Sequence, residues 1–254
     1  MEIGAITQYV DVAQLVLYAF WAFFAGLIYY LVRENHREGY PMDHDSGGTI
    51  TGWPVPRPKT FLTAHGEVVV PKPEPTAALN AEPAHGWNGA PLLPTGDPLL
   101  AGVGPGAYTP RADRPDETFD GSAKLQPLRV ATDYGVVAGD IDPRGLTVYG
   151  ADGEAGGKVV DLWVDEAETL FRYMELEASG NGRRVLVPWN FAKVKSDRLG
   201  GDRVVVKALL GSQFANVPGT AHPDQVTLAE EDRIMGYFGA GTLYAEPGRA
   251  EPLV

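Results

Sequence analysis

The chain contains no cysteine. That absence excludes disulfides, thiolate metal centres, cysteine nucleophiles and thiolate-ligated iron–sulfur clusters. Its five histidines, at 36, 44, 65, 85 and 222, are scattered among Gly, Pro and charged residues. No HExxH, CxxC or GxSxG pattern occurs, and no nucleophile–base constellation can be assembled, so an enzyme has nothing to rest on. Basic residues are few: 21 Lys and Arg against 33 Asp and Glu, for a net charge of −12. This balance argues against nucleic acid or anionic lipid as a general partner, since both are polyanions. Long apolar runs are scarcest of all, because there is one.

That run is Val12 to Val32, VAQLVLYAFWAFFAGLIYYLV, with Gln14 its only strongly polar side chain. At about 1.5 Å of helical rise per residue it spans roughly 30 Å, the thickness of a bilayer's hydrocarbon core. A buried core helix would be shorter or carry a polar face. A cleaved signal peptide would need a basic n-region, and residues 1–11 hold no Lys or Arg. The stretch reads as a retained transmembrane helix. Arg33 and Arg37 follow it, whereas Glu2 and Asp11 precede it, which places the N-terminus outside and residues 33–254 in the cytoplasm. Ala22-x-x-x-Gly26 fits either close approach by another helix or ordinary Ala usage. No ionisable group lies within the span, so the helix anchors and packs without offering an ion path.

Gly39 and Pro41 stop the helix shortly after the span. Asp43-His44-Asp45 matches no ligand spacing and reads as a solvated loop. Residues 41–127 hold 15 of the chain's 21 prolines. Trp53-Pro-Val-Pro-Arg-Pro-Lys59 and Pro71-Lys-Pro-Glu-Pro75 are extended by necessity. A free linker would lack Phe61, Val68–Val70, Trp87, Leu92, Leu99 and Tyr108, so this segment is read as lying along another protein's surface. Gly102-Val-Gly104-Pro-Gly106 lacks the Lys-Ser/Thr of a P-loop and marks turns.

From Leu125 the pattern changes to short β-runs: 128–137, 145–149, 157–165, 169–177, 183–189, 193–195 and 203–209. Asp142-Pro-Arg-Gly145 and Ser179-Gly-Asn-Gly182 are turns. Alternation over Leu170–Glu177 predicts a half-buried antiparallel strand. Six or so short strands with tight turns indicate a small closed or nearly closed barrel. Thr227-x-x-Glu230 is a capping box that opens a helix running to about Phe238, with Gly239 and Gly241 ending it. The fold class is therefore a single N-terminal transmembrane α-helix plus a mostly-β cytoplasmic domain, a small antiparallel β-barrel, with an extended Pro-rich segment and a short C-terminal helix. The expected divisions are 1–11, 12–32, 33–124 and 125–254. Asp161, Asp165, Glu166, Glu168, Arg172, Glu175 and Glu177 lie on two neighbouring strands and their connection. Most are read as solvated, and a few as partly buried, paired with Arg172 and able to pass protons as a set.

Longer motifs run from end to end of the chain. They are Arg37-Glu-Gly-Tyr-Pro41, Pro58-Lys-Thr-Phe61, Gly96-Asp-Pro98, Gly102-Val-Gly-Pro105, Gly157-Lys-Val-Val-Asp-Leu-Trp-Val-Asp165, Pro223-Asp-Gln-Val-Thr-Leu-x-Glu-Glu-Asp232 and Gly236-Tyr-Phe-x-x-Gly-x-Leu-Tyr-Ala245. Together they resemble the H subunit of the purple-bacterial photosynthetic reaction centre, and residues 125–210 resemble its PRC-barrel domain. The resemblance implies a non-catalytic subunit of an inner (intracytoplasmic) membrane complex. It would bind no cofactor itself. It would cap the L and M subunits, which hold bacteriochlorophyll, bacteriopheophytin, quinones and non-haem iron. Antenna, cytochrome subunits and membrane lipids are further partners it suggests. The cap would shield the quinone pockets and carry protons to the secondary quinone. By position, Glu168 and Arg172 match the family's interior Glu-x-x-x-Arg pair, and Asp165 the acid before it. Asp120 matches a surface acid at the proton inlet, and Glu230 is a further candidate for the acid cluster. Some members carry Asp-x-His-x-His there; both His are missing here, and no metal site is expected. The alternative is a membrane-tethered PRC-barrel adaptor with no photosynthetic role.

Overall fold

The apolar run forms α1, Val12–Asn35, with a mean hydropathy of 2.0 over its most apolar window and no buried side chain. Its lone polar residue has a local purpose. Gln14 donates its backbone N–H to Asp11 Oδ1 at 2.7 Å, and its side chain accepts from the Asp11 N–H at 3.4 Å. This capping box satisfies helix-end donors that would otherwise stay unpaired. The computed structural model describes residues 6–7, 10–40, 42, 55–70, 79–87, 89–197 and 201–250. The Asp43-His44-Asp45 run, Trp53 and the prolines at 71–75 lie outside them. The chain divides into two units, Met1–Ala78 with Trp87–Gly89, and Leu79–Gly86 with Ala90–Val254.

In the first unit, α1 is followed by a hairpin of β1, Lys59–Thr63, and β2, Gly66–Val70, in place of a purely extended segment. Arg37 binds Glu34 through two nitrogens, at 2.8 and 2.9 Å. Its remaining Nη1 donates to the carbonyls of Arg57 and Val70, at 2.7 and 3.1 Å. One guanidinium thus ties both ends of the hairpin to the helix exit.

The second unit opens with a short ribbon of β3, Ala81–Pro83, and β4, Leu92–Pro94. Seven strands follow: β5 Leu125–Pro127, β6 Thr147–Tyr149, β7 Ala155–Asp165, β8 Leu170–Ala178, β9 Arg184–Pro188, β10 Ala192–Asp197 and β11 Gly201–Val206. They form one sheet in the order β10-β11-β6-β7-β8-β9, with β5 also paired to β7. The two edge strands, β9 and β10, are joined by only the Trp189–Phe191 turn. The sheet therefore bends back toward its own edge, in keeping with the nearly closed barrel expected from the strand spacing, and among the described residues no ladder joins β9 to β10. All its ladders are antiparallel except β11 with β6.

Register places the core. Leu162 pairs with Met174 and Met174 with Val187; Val159 pairs with Leu176 and Leu176 with Val185. All six are at most 2% exposed and face inward. Phe214 and Phe238 fill the same interior. Each such side chain contributes about 1.5–3 kcal/mol by leaving water.

Three expectations change. Residues 128–137 form no strand, because the Val130 and Ala131 N–H groups both turn back to the Pro127 carbonyl, at 2.8 and 3.0 Å. The strand there is the three residues of β5 that precede this turn. β8 is not half-buried, because Tyr173 to Leu176 are buried on both faces. Finally α2, Leu228–Tyr244, runs through Gly239 and Gly241 instead of ending there. Those glycines permit close approach. A Cβ on Gly236 would stand 2.8 Å from the Gly106 carbonyl, and one on Gly239 would collide with the Pro105 carbonyl. Packing against the Gly104–Gly106 turn outweighs the roughly 1 kcal/mol that each helical glycine costs.

Candidate functional site

Asp165 ends β7 and builds the turn into β8. Its Oδ1 accepts the N–H groups of Ala167 and Glu168, both at 3.0 Å. Its backbone carbonyl accepts the Thr169 N–H at 2.7 Å. Thr169 is thereby held at φ +56°, the one non-glycine described residue in the left-handed region. A β-branched residue there is strained, and such strain collects at functional turns. Asp165 Oδ2 faces Arg172 Nε at 3.1 Å and Lys124 Nζ at 3.7 Å, although Asp165 itself is only 1% exposed. Arg172 Nη2 then reaches Glu168 Oε1 at 3.1 Å. Asp165, Glu168 and Arg172 are therefore brought together. Burial works against the charge on Arg172, and its bonds to Asp165 and Glu168 outweigh that and hold it firmly cationic.

Beside Arg172 lies a cleft of about 480 Å³ whose walls include Arg111, Tyr173, Trp189, Glu231, Asp232 and Met235. Tyr173 donates its hydroxyl to Glu231 Oε2 at 2.8 Å. Burial raises the Glu231 carboxyl above the usual range, and the Tyr173 hydrogen bond, Arg111 and Arg172 only partly offset this. Burial and the neighbouring Glu231 carboxylate likewise raise the Tyr173 phenol. A carboxyl that keeps its proton to higher pH beside a fixed cation, at the wall of an open cleft, is suited to taking up and handing on a proton.

The other two candidates stand apart. Glu230 is 7% exposed, and both its oxygens are committed to backbone. Oε1 accepts the Ala221 N–H at 2.6 Å and Oε2 the Thr227 N–H at 2.9 Å. Asp120 lies exposed in a turn held by Thr118 and Ser122, and among the described residues it shares no ion pair with the cluster. The base of that hairpin supplies Lys124, which faces both Asp116 and Asp165. Sequence reasoning did not single out Glu231, Tyr173, Arg111 or Lys124. For Glu231 a signal existed: a capping box commits the Glu230 carboxylate to the N-cap, so the next acid must point elsewhere. Among the described residues no three His, Asp or Glu are placed to hold a metal ion.

Comparison with known families covers the chain from α1 to β11 and leaves α2 outside both matches. The photosynthetic reaction centre, H-chain N-terminal region, matches residues 4–130, half of the chain, and includes α1, the β1–β2 hairpin and β5. The PRC-barrel domain matches residues 138–213, which include β6 to β11. An apolar anchor leading into a barrel is the arrangement both matches describe in sequence, and the chain belongs to the photosynthetic reaction-centre H-chain family.

Proposed function

We propose that this chain caps the quinone side of a photosynthetic reaction centre and passes protons toward the secondary quinone through Glu168 and Glu231, with Asp165 and Arg172 holding them in place. Family membership supplies the coarser part: a membrane-anchored structural subunit associated with L and M, with the redox cofactors on those partners. The quinone in the partner subunits takes up protons as it is reduced. This chain's part is to exclude bulk water and to hold protons at fixed carboxyls on the way. The observation that carries the reading is Glu231. Its raised carboxyl lines the cleft, accepts from Tyr173 and lies beside Arg172, which Asp165 and Glu168 hold in place. Exposed Phe61, Leu62, Val68, Leu92, Leu100 and Tyr108 are apolar side chains that L and M would cover. Arg33 and Arg37 beyond the span support a cytoplasmic position for the residues that follow it, at the inner membrane.

The test is flash kinetics on the purified complex. Glu168→Gln and Glu231→Gln should each slow the proton-coupled second electron transfer about a hundredfold, the lower end of what one general acid–base group contributes. The first electron transfer and the near-infrared pigment bands should stay as in the wild type. Unchanged second-transfer kinetics in both variants would leave only the structural role.

A further inference from the structure

Arg129 gathers more of the molecule than any residue of the proposed route. Its Nη1 meets Asp161 Oδ2 at 3.0 Å and Glu175 Oε2 at 2.5 Å. Its Nε meets Asp224 Oδ1 at 2.8 Å, and its Nη2 donates to the Pro223 carbonyl. The guanidinium lies 6.0 Å from the Trp163 ring centre, and Trp163 Nε1 donates to the same Glu175 oxygen at 3.0 Å. Asp161, Glu175 and Trp163 are all buried, while Pro223 and Asp224 belong to a strap crossing the outer face of β7 and β8.

The strap leads directly into α2. The Ala221 N–H at its start binds Glu230 Oε1 at 2.6 Å, and the Thr227 N–H at its end binds Glu230 Oε2 at 2.9 Å. Thr227 also donates its hydroxyl to Asp113 at 2.7 Å. The first turn of α2 therefore sits where the strap sits, and Glu231 is in that turn. We infer that Arg129 is a positioning residue: by pinning Pro223 and Asp224 it fixes the first turn of α2 and holds Glu231 against Tyr173. This rests on the proton-transfer reading above and adds a residue that touches neither the cleft nor Glu231.

The groups facing Glu231 are Tyr173 and Arg172 from β8, Arg111 and Asp116 from the segment before β5, and Asp232 on its own helix. A loosened first turn exposes Glu231 to water and moves its titration down toward an ordinary carboxyl, because burial is the largest influence on it. Two variants of the assembled complex test this. Arg129→Ala removes the pin entirely and leaves two buried acids short of a partner. Asp224→Ala removes one of the strap's two bonds to Arg129, keeps the one at the Pro223 carbonyl, and leaves Arg129 on Asp161 and Glu175, so it separates loosening of the strap from failure to fold. Hydrogen exchange at amides 221–232 should quicken at least tenfold in Asp224→Ala. The midpoint of the second-transfer rate against pH should fall toward that of an ordinary, solvated carboxyl. Arg184→Ala, which loses its 3.2 Å bond to Glu175 and makes no hydrogen bond to the strap among the described residues, should change neither.

Unchanged exchange at 221–232 in both Asp224→Ala and Arg129→Ala would overturn the inference, and so would faster exchange with a wild-type pH profile. Glu231→Gln separates the two levels. If that variant behaves as wild type, the proton route itself is wrong. If it is slowed while Asp224→Ala and Arg129→Ala are both inert, only the role of Arg129 falls.

Discussion

Two groups of acids lie on the outer side of the β7–β8 ladder. At the strap, Glu175 accepts from Arg129, Trp163 and Arg184, and Asp161 accepts from Arg129 and from the Leu162 N–H at 2.9 Å. Both are buried and every oxygen is used. At the turn, Glu168 is half-exposed with Arg172 as its ion-pair partner, and Glu231 has one hydroxyl donor beside an open cleft. The residue types are the same. Cover and number of donors differ, and they decide whether a carboxyl acts as a rivet or stays free to exchange a proton.

The sharpest way to break that contrast is to delete one carboxylate from each group. Glu175→Ala strands the buried Trp163 N–H and leaves Arg129 and Arg184 short of their anion, which should cost about 3–5 kcal/mol. Glu168→Ala removes a half-exposed ion pair and should cost no more than about 1 kcal/mol. Thermal unfolding of the complex measures both, and equal losses would erase the distinction. Glu230→Ala belongs with the rivets. It leaves the Ala221 and Thr227 N–H groups unsatisfied, at about 1–3 kcal/mol, and should leave the second electron transfer faster than Glu231→Gln does.

The contrast was only half legible in the sequence. The span, the Thr227 capping box, the Ser179–Gly182 turn and most strands follow from local pattern, and the structure contains them. Asp165, Glu168 and Arg172 meet because they share one turn, and the family resemblance, not spacing, singled them out of the seven charged residues there. Arg129 meets Asp224 across 95 residues, which no local period encodes. The run at 128–137 looked like a strand because it is rich in Val and Thr, yet Pro127 reverses the chain and Arg129 is drawn toward the buried acids. Gly239 and Gly241 looked like stops because helix propensity was weighed without their neighbours, the Gly104–Gly106 turn packed against Gly239 and Ala208 packed against Gly241. The same limit hid Glu231. Its neighbours Tyr173 and Arg111 are remote in sequence, and only assembled packing raises its carboxyl.

Glu231 also leaves a mark on stability. Its folded-state pKa is raised, so between the ordinary carboxyl value and the raised one the folded chain holds a proton that the unfolded chain has lost. Stability must fall as pH rises through that window, and below it both states are protonated and nothing is lost. Glu231→Gln does not titrate and should escape the decline. Subtracting the melting curves of wild type and variant at successive pH values should give a difference that grows across the window and then levels. Parallel curves would mean that Glu231 is ordinarily solvated, and the open group would lose its proton-holding member.

The smallest effect should come from Asp120. The Thr118–Ser122 hydroxyl bond at 2.7 Å and the Thr118 N–H to Ser122 carbonyl bond at 2.8 Å hold its turn without help from its carboxylate. Asp120→Asn should therefore change stability by less than about 0.5 kcal/mol. Its charge can act on the cleft only through solvent, where screening over about 8 Å at physiological salt leaves little. The second electron transfer should slow by less than about twofold at that salt, and by more as salt is lowered. A tenfold slowing that ignores salt would carry the proton inlet from the cleft to the hairpin tip. Lys124, at the base of that hairpin and facing Asp165, would then join the hairpin tip to the turn that holds Glu168 and Arg172.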